Sequence, residues 1–249
     1  MGLLGDLQRQ LHAAGGGHQH RGHPGAPAQP AAGAAGGAVR ALIITQGPAR
    51  GHRALRELAA ASDLVLAADG GARTARLAGV VPHEIVGDLD SLDATTMRWA
   101  ARRRVRRRVF PRAKEATDAE LALWQARRRG ARQVWLFGAV AGRLDQTLAN
   151  VFLLFAARRL RVAARLTDGR ATAYLVDGDA EVRGRRGDTV SLLPLSPVVR
   201  GITTAGLRYP LRRGVLRRGS TRGLSNEMTA SAARVRLTAG DLLLVHTPR

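Results

Sequence analysis

From residue 39 onward, short apolar runs alternate with longer stretches in which apolar residues recur every three or four positions. The short runs predict buried β-strands, and the longer stretches predict amphipathic helices. The predicted strands are 41–45, 64–68, 84–88, 106–110 and 133–138. The predicted helices are 52–62, 72–79, 95–104, 118–130 and 144–160. Strands and helices that alternate at this spacing predict an α/β fold, in which helices cover both faces of a parallel sheet.

The pattern changes after about residue 165. Short strand-like runs follow each other there, separated by glycine and proline rather than by helical stretches. This pattern is typical of antiparallel β-structure. We therefore predict two domains: an N-terminal three-layer α/β domain with a parallel sheet over 39–165, and a smaller C-terminal antiparallel β-sandwich over 166–249.

The first residues, 1–38, are rich in glycine, alanine, proline and histidine and have no hydrophobic period, so we predict a disordered tail. Its histidines are either metal ligands or, as we favour, part of a solvated low-complexity segment: His12, His18, His20 and His23. The true start of the chain is left open, because it can lie downstream of the first methionine. No stretch approaches the roughly 20 apolar residues that span a bilayer. The start lacks the apolar core of a secretory signal, and there is no cysteine, so we expect a cytoplasmic protein.

The chain is strongly basic, with a formal net charge of +21. Clustered positive charge is typical of nucleic-acid binding, for which 102–108 (RRRVRRR) is the candidate segment. However, the arginines are distributed along the whole chain, and only 4% of the residues are aromatic, so few rings are available to stack on bases. We interpret the arginines mainly as solvated surface and keep a basic nucleic-acid binder as a less favoured hypothesis.

Acidic residues are scarce, at 19 in the chain, so their placement is informative. Asp69 follows the second predicted strand, Asp88 and Asp90 come at the end of the third, and Glu115 and Asp118 follow the fourth. In open parallel sheets, ligands bind beyond the carboxyl ends of the strands. Magnesium prefers carboxylate and phosphate oxygens as ligands. A D-x-D pair alone is more often a turn or a helix cap, but several acidic segments at one sheet edge favour a metal site.

The segment 117–120 (TDAE) matches a capping box, with Thr117 as the N-cap and Glu120 reaching back to it. In that interpretation Asp118 is a first-turn acid that favours the helix dipole, a role that is compatible with metal binding. Lys114 is the single lysine among 40 basic residues. Lysine contacts phosphate as a compact point charge, whereas arginine presents a planar fork. We therefore favour a phosphate contact for Lys114, with chance retention as the alternative.

Two glycine-containing turns follow predicted strands. Gly70 and Gly71 permit close backbone approach and leave amides at the next helix start for a phosphate. Gly142, Arg143 and Asp145 repeat this arrangement before the last predicted helix. The arginine offers a phosphate clamp, and the aspartate would hold either that arginine or the metal. A surface ion pair without function is the alternative.

Motifs of several enzyme classes are absent from the sequence. Neither a G-x-x-x-x-G-K-[ST] loop nor a kinase-type glycine loop occurs, so a bound nucleotide would be held by a different arrangement. No G-x-S-x-G motif occurs, and His52, His83 and His246 lack a serine or aspartate context in the sequence. Hydrolase triad chemistry is therefore not supported.

Six segments, in this order along the chain, resemble motifs of the thiamine pyrophosphokinase family. They are ADGGA (68–72), VGDLDS (86–91), PRAKEATDAELAL (111–123), GAVAGRLDQTLAN (138–150), GITTAGLRYPL (201–211) and GLSNE (223–227). The resemblance implies an α/β catalytic domain, a C-terminal β-sandwich, and a homodimer with active sites in clefts between the subunits. It also implies Mg²⁺-dependent transfer of a pyrophosphoryl group from ATP to the hydroxyl of thiamine, giving thiamine diphosphate and AMP.

The resemblance further implies roles for individual residues. The implied magnesium ligands are Asp69, Asp88, Asp90 and Asp118. The implied ATP-binding residues are Asp69, Gly70, Gly71, Ser91, Lys114, Thr117, Arg143 and Asp145. The implied thiamine-binding residues, contributed across the dimer, are Ser225, Asn226 and Glu227. The implied catalytic residues are Asp88, Asp90, Asp118 and Arg143, with Asp88 or Asp90 accepting the hydroxyl proton. Without the resemblance, Ser225 and Asn226 would predict an ordinary turn.

The chain also departs from the family pattern. The family commonly has aspartate at the position of Glu115, and many bacterial members have histidine at the position of Gln146. Members often carry an aromatic residue where Met228 and Thr229 stand, and methionine packs more weakly on a ring. We therefore expect a weakened thiamine affinity rather than altered chemistry. The alternative hypothesis is the same fold with a different substrate or a non-catalytic role.

Overall fold

A computed structural model of the chain describes residues 38–47, 51–140 and 142–249. The four tail histidines and all but the last residue of the predicted tail lie outside the described residues. The first part alternates strands and helices: β1 (Val39–Ile44), α1 (His52–Ala60), β2 (Leu64–Ala68), α2 (Gly71–Ala78), β3 (Glu84–Gly87), α3 (Ala94–Arg102), β4 (Arg106–Val109), α4 (Asp118–Arg128), β5 (Ala131–Phe137), α5 (Leu144–Arg159) and β6 (Ala163–Thr167).

The second part consists of strands. They are β7 (Thr172–Val176), β8 (Asp179–Arg183), β9 (Thr189–Pro194), β10 (Val198–Ala205), β11 (Gly214–Arg217), β12 (Asn226–Glu227), β13 (Ala232–Arg236) and β14 (Leu242–Thr247). None of the helices in the described part of the chain is both long and apolar enough to span a membrane.

The strands form a ten-stranded sheet and a four-stranded sheet. The ten-stranded order is β12-β9-β14-β7-β6-β5-β1-β2-β3-β4, and the four-stranded order is β11-β10-β13-β8. From β4 to β6 the neighbouring strands run parallel, and from β6 to β12 they run antiparallel. The predicted fold class is confirmed. The predicted division after residue 165 falls within β6, where the sheet is continuous, and the domain bounds stay a prediction.

The parallel part has a core on each face of the sheet. Leu42 and Ile44 of β1 pack with Leu55 of α1, whereas Ile43 packs with Leu121 of α4 on the opposite face. Successive strand residues point to opposite faces, so a strand covered on both sides needs apolar residues at every position. This requirement explains why β2 and residues 41–44 of β1 appear in the sequence as uninterrupted apolar runs.

The antiparallel part is a β-sandwich. Alternate residues of β9 and β13 are buried, because only one face of each strand meets the opposite sheet. Val190 and Leu192 of β9 pack in one cluster with Val235 of β13 and Leu244 of β14. A strand with one covered face alternates between apolar and polar positions, as the sequence of this region does.

A charged network stabilises the amino end of β3. Glu84 is buried, and it accepts hydrogen bonds from Arg108 at 2.7 Å, from Arg129 at 2.9 Å and from Gln125 at 3.1 and 3.3 Å. A buried carboxylate is tolerated when its oxygens are paired in this way. Arg108 belongs to the arginine-rich segment 102–108, so part of that segment serves the fold rather than a free basic surface.

Candidate active site

Three carboxylates meet at the carboxyl edge of the parallel strands. Asp69 directly follows β2, Asp88 directly follows β3, and Asp118 is the first residue of α4, which comes after β4. Their nearest carboxylate oxygens all lie within 4.8 Å of one another. Because β2, β3 and β4 are parallel neighbours, the residues that follow them reach the same side of the sheet. The structure thus brings together three of the four predicted metal ligands.

Lys114 lies between two of these carboxylates. Its Nζ is 2.9 Å from Asp88 Oδ2 and 2.6 Å from Asp118 Oδ1, and its side chain is only 8% exposed. The hydrogen bond from Lys114 holds the pKa of the Asp88 carboxyl below its ordinary value. Burial raises the pKa of the Asp118 carboxyl, and the charges of Asp69 and Asp88 add to this, although Lys114 opposes it. Three carboxylates and one ammonium leave the group with two excess negative charges.

Asp69 carries an unpaired buried oxygen. Its Oδ2 accepts a hydrogen bond from Ser91 Oγ, but within the described part of the chain its buried Oδ1 has no hydrogen-bond partner. Its backbone also lies in the left-handed region, at φ 41°. An unpaired buried carboxylate oxygen and a strained backbone are both costly, and such features concentrate at functional sites. A hard divalent cation would satisfy this oxygen, so the residues present fit magnesium.

Glycines allow the elements of the site to approach each other. A Cβ on Gly87 would lie 2.9 Å from Asp69 Cβ and 3.0 Å from Asp118 Oδ1, and the φ of Gly87 is 154°. A Cβ on Gly71 would lie 1.9 Å from the carbonyl oxygen of Ile44. Gly71 thus serves the packing of α2 against β1, whereas the sequence suggested only an approach to phosphate. The sequence suggested no role for Gly87, because the residues on which it depends are distant in the chain.

Two acidic residues of the predicted set lie apart from the three-carboxylate group. The Asp90 carboxylate is 3.4 Å from Arg112 Nε, and its backbone N–H donates to Asp88 Oδ1 at 3.3 Å. Neither Asp90 nor the exposed Glu115 is a member of the group. The assignment of Asp90 to the metal stays a prediction.

Only one of the two hydrogen bonds of the predicted capping box is present at the start of α4. Thr117 is the N-cap of α4, and its Oγ1 accepts from the Glu120 N–H at 3.2 Å. The reciprocal bond from the Glu120 side chain is not present among the hydrogen bonds of the described residues, so the prediction of a full capping box is wrong. Burial instead raises the pKa of the Glu120 carboxyl, which the charge of Arg159 partly opposes.

Arg143 and Asp145 form an exposed, two-pronged ion pair at the start of α5. Arg143 donates to Asp145 from Nε at 3.1 Å and from Nη2 at 2.5 Å. An aspartate that holds the arginine for phosphate and a surface ion pair without function share this geometry, so the role of Asp145 stays a prediction. Gln146, the next residue, is exposed and donates its backbone N–H to Asp145 at 2.9 Å.

The predicted thiamine-binding residues belong to a different part of the molecule. Asn226 accepts from the Tyr209 N–H at 3.0 Å and donates to the Tyr209 carbonyl at 2.7 Å, and Glu227 lies 3.2 Å from Arg208. Ser225 donates its N–H to Ser191 Oγ at 3.0 Å. Two predicted motifs, 201–211 and 223–227, are thus joined by hydrogen bonds.

These residues are far from the carboxylates within one chain. β12 is the edge strand of the ten-stranded sheet, and six strands lie between it and β2. Neighbouring strands are about 4.8 Å apart, so the two groups are separated by roughly 30 Å along the sheet. A single chain therefore does not join them into one site.

Two expectations for the sandwich are wrong. Met228 is fully buried in the sandwich core, so its side chain is not available to pack on a thiamine ring. His246 does have an aspartate partner, because its Nε2 lies 2.9 Å from Asp188 Oδ2. No pattern in the sequence indicated this pair, since 58 positions separate its members.

Comparison with known proteins connects both parts of the chain with one family. The sequence model described as "Thiamin pyrophosphokinase, catalytic domain" matches residues 55–166. The model described as "Thiamin pyrophosphokinase, vitamin B1 binding domain" matches residues 179–242. The thiamine pyrophosphokinase of Bacillus subtilis (strain 168) is 27% identical over 186 residues, which cover 74% of this chain and 87% of that protein.

Solved structures agree with this relationship. The crystal structure of thiamine pyrophosphokinase from Bacillus subtilis superposes with a TM-score of 0.75 at 26% identity, covering 84% of this chain and 99% of that one. The thiamin pyrophosphokinase of Geobacillus thermodenitrificans gives a TM-score of 0.71 at 29% identity, covering 84% and 97%. Because both domain models match in order and together span most of the sequence, the chain belongs to the thiamin pyrophosphokinase family.

Proposed function

We propose that this chain transfers a pyrophosphoryl group from ATP to the hydroxyl of thiamine, forming thiamine diphosphate and AMP. The observation that carries the proposal is the convergence of Asp69, Asp88 and Asp118, the last two paired with Lys114, in a member of this family. Because residues 179–242 match the vitamin B1 binding domain, we do not favour the two alternatives, a different substrate and a basic nucleic-acid binder.

We assign Mg²⁺ to the three-carboxylate group, with Asp69, Asp88 and Asp118 as its protein ligands. Their excess negative charge and the unpaired Oδ1 of Asp69 support this assignment. When bound, Mg²⁺ would neutralise the developing charge on the transferred phosphates. Asp90 lies two residues after Asp88 in the loop that follows β3, and we keep it as a further candidate ligand, although its Oδ2 lies 3.4 Å from Arg112 Nε.

The remaining residues would position ATP for the reaction. Lys114 would contact phosphate oxygens beside the carboxylates, and Arg143, held by Asp145, would clamp the triphosphate. The thiamine hydroxyl oxygen would attack the β-phosphorus in line while the bond from that phosphorus to the AMP oxygen breaks. The hydroxyl proton would pass to Asp88 or Asp90. Phosphoryl transfer needs mainly positioning and charge neutralisation from the protein, which this set of residues offers.

We further propose that the functional unit is a homodimer. Six strands separate the strand of the thiamine-binding residues from β2, the nearest of the strands that precede the carboxylates, so a second copy must supply these residues. α5 starts at the active-site edge, and its first turns expose an apolar stripe of Leu144, Leu148 and Phe152. Large apolar side chains aligned along one helix face are typical of a surface that another chain covers.

The predicted cytoplasmic location stays a prediction.

The test is a product analysis. The chain is incubated with ATP and Mg²⁺, with and without thiamine, and the nucleotides are separated by chromatography. We expect AMP and thiamine diphosphate to appear in equal amounts, and only when thiamine is present. ADP as the product would indicate transfer of a single phosphate, and AMP formed without thiamine would indicate hydrolysis. Either result would contradict the proposed function.

A further inference from the structure

The thiamine-binding segment 225–227 is weakly supported by its own secondary structure. β12 consists of only two residues, and it pairs with a single neighbour, β9. Ser225, which precedes it, has a φ of 54°, a left-handed backbone that a serine rarely adopts. On one side the segment is bonded to the loop that contains Tyr209, through two hydrogen bonds of Asn226 and one from the Arg208 N–H to the Glu227 carbonyl at 2.8 Å. So short an edge strand also needs an anchor in the core to reach the precision that substrate binding requires. The next residue along the chain, Met228, provides that anchor.

Met228 anchors the segment to the turn before β9. Its backbone N–H donates to the Asp188 carbonyl at 2.8 Å, and its carbonyl accepts from the Gly187 N–H at 2.9 Å. Its side chain is fully buried in the sandwich core. Two backbone bonds and a buried side chain transmit the position of residues 187–188 directly to the neighbouring Glu227.

One buried carboxylate holds this turn. Asp188 is 3% exposed, and its Oδ2 accepts from the Arg185 N–H at 2.9 Å and lies 2.9 Å from His246 Nε2. Its Oδ1 accepts from the Arg249 N–H at 3.1 Å. Asp188 therefore ties the turn to the end of β14 and to the carboxyl terminus. An ionised acceptor with several N–H donors makes strong, directional bonds.

Gly184 lies against this carboxylate and two other side chains. A Cβ on Gly184 would lie 2.4 Å from Asp188 Oδ2, 2.9 Å from His246 Nε2 and 3.1 Å from Met228 Sδ. The carboxylate, the imidazole and the methionine sulfur thus surround the same glycine. Movement of the imidazole would be transmitted to Met228, and through its backbone bonds to 225–227.

We infer that Asp188 and His246 are positioning residues for the thiamine-binding segment: together they fix Met228 and so hold residues 225–227 in their binding conformation. The inference rests on the proposed function, because thiamine binding by this segment is part of it. The side chains of His246 and Asp188 are only 13% and 5% exposed, so neither would contact substrate. Their effect would appear in thiamine recognition and not in the handling of ATP, whose site lies at the other end of the sheet.

The kinetic test compares two substitutions of the same histidine. His246→Leu removes the donor to Asp188, whereas His246→Gln retains an N–H that reaches it. We expect His246→Leu to raise the KM for thiamine about tenfold while kcat and the KM for ATP change less than about twofold. His246→Gln should stay close to the wild-type protein. The matched control is Asp241→Asn, because Asp241 bonds Arg158 and Ser196 at the other end of β14.

A second readout is independent of activity. Hydrogen exchange of the peptide 223–230 should become about tenfold faster in His246→Leu but not in His246→Gln or Asp241→Asn. Unchanged exchange in His246→Leu would overturn the inference even if the wild-type protein did not act on thiamine at all. In an active wild-type protein, an unchanged thiamine KM would also overturn it, as would an equal rise in the KM values of both substrates. Failure of the proposed function alone would appear as an inactive wild-type protein with the expected exchange pattern.

Discussion

The two ends of the ten-stranded sheet carry different kinds of binding groups. At the β2–β4 end, Asp69, Asp88 and Asp118 converge, and Lys114 pairs with the last two. β2 and β3, which Asp69 and Asp88 follow, are parallel strands covered on both faces. At the β12 end, Asn226 and its neighbours lie in a partly exposed edge segment that is held by hydrogen bonds to another loop. The carboxylates at the first end follow buried strands or begin a helix, whereas the residues at the second end belong to a short strand at the edge of the sheet.

This difference explains how the two substrates would be handled. In the proposed function the carboxylate end would bind the charged, metal-bound triphosphate, and its side chains are positioned for this by the ends of buried strands. The β12 end offers shape and hydrogen bonds to a second substrate, but it cannot reach the carboxylates of its own chain. Chemistry would then require that the two ends of different chains meet, which links catalysis to dimer formation.

The largest expected effect comes from the carboxylate end. We expect Asp69→Asn and Asp88→Asn each to lower kcat by about 1,000-fold, because a neutral amide no longer balances the cation that the triphosphate requires. The measurement is AMP formation at saturating ATP and thiamine. Asp63→Asn is the matched control, since Asp63 precedes β2 at the opposite edge and pairs with Arg40. Near-normal turnover in either variant would remove that residue from the metal site.

The next effect tests the link between the two ends. We expect Leu148→Glu to convert the dimer into monomers and to lower activity by about 100-fold, because a buried charge opposes docking of the second copy. Light scattering after size-exclusion chromatography gives the mass, and AMP formation gives the activity. Leu77→Glu is the control, because Leu77 is 48% exposed and Leu148 is 50% exposed. A fully active monomer would contradict the proposed dimer.

A smaller effect concerns the choice of lysine at the carboxylate end. We expect Lys114→Arg to lower kcat/KM for ATP by about 30-fold, because the larger planar guanidinium does not fit between Asp88 and Asp118. Arg112→Lys, at an exposed position of the same loop, should change this value less than about twofold. Equal effects of the two substitutions would indicate that only the local charge matters.

The smallest effect concerns the β12 end and depends on pH. Hydrogen bonds from Arg185, His246 and Arg249 outweigh the effect of burial and hold the pKa of Asp188 below its ordinary value of 3.8. Its ionised form therefore stabilises the fold above that pH, and this contribution is lost as the pH falls through the lowered value. We expect Asp188→Asn to lower the Tm by about 4–8 °C at neutral pH. The difference should narrow below about pH 4, and a constant difference in calorimetric scans would contradict this account.

The sequence was sufficient for elements whose pattern repeats. β2 was predicted over 64–68 and is observed over Leu64–Ala68, because a strand buried on both faces leaves an uninterrupted apolar run. The positions of Asp69 and Asp88 after strands followed from the same pattern, since parallel strands end at one edge. β12 escaped prediction, because two residues are too short to show any alternation.

Features that depend on distant contacts could not be predicted. Gly87 is required by its approach to Asp118, which the sequence separates from it by a helix and a strand. The pairing of Asp188 with His246 likewise depends on neighbouring strands β9 and β14. Met228 was expected near a substrate, but its backbone bonds to Gly187 and Asp188 place its side chain in the core of the sandwich. In each case tertiary packing decides the role, and local residue type does not.

The most direct test of the central claim is subunit complementation. Asp88→Asn protein, with an intact β12 end, is mixed and re-equilibrated with Asn226→Ala protein, which has intact carboxylates. After equal mixing, about half of the dimers contain one chain of each variant. If each active site joins the ends of two chains, one of the two sites in every mixed dimer is intact. Activity should then return to about a quarter of the wild-type value. If each chain formed its own site, every site would contain one defect. Activity that stayed at the level of the separate variants would contradict the account.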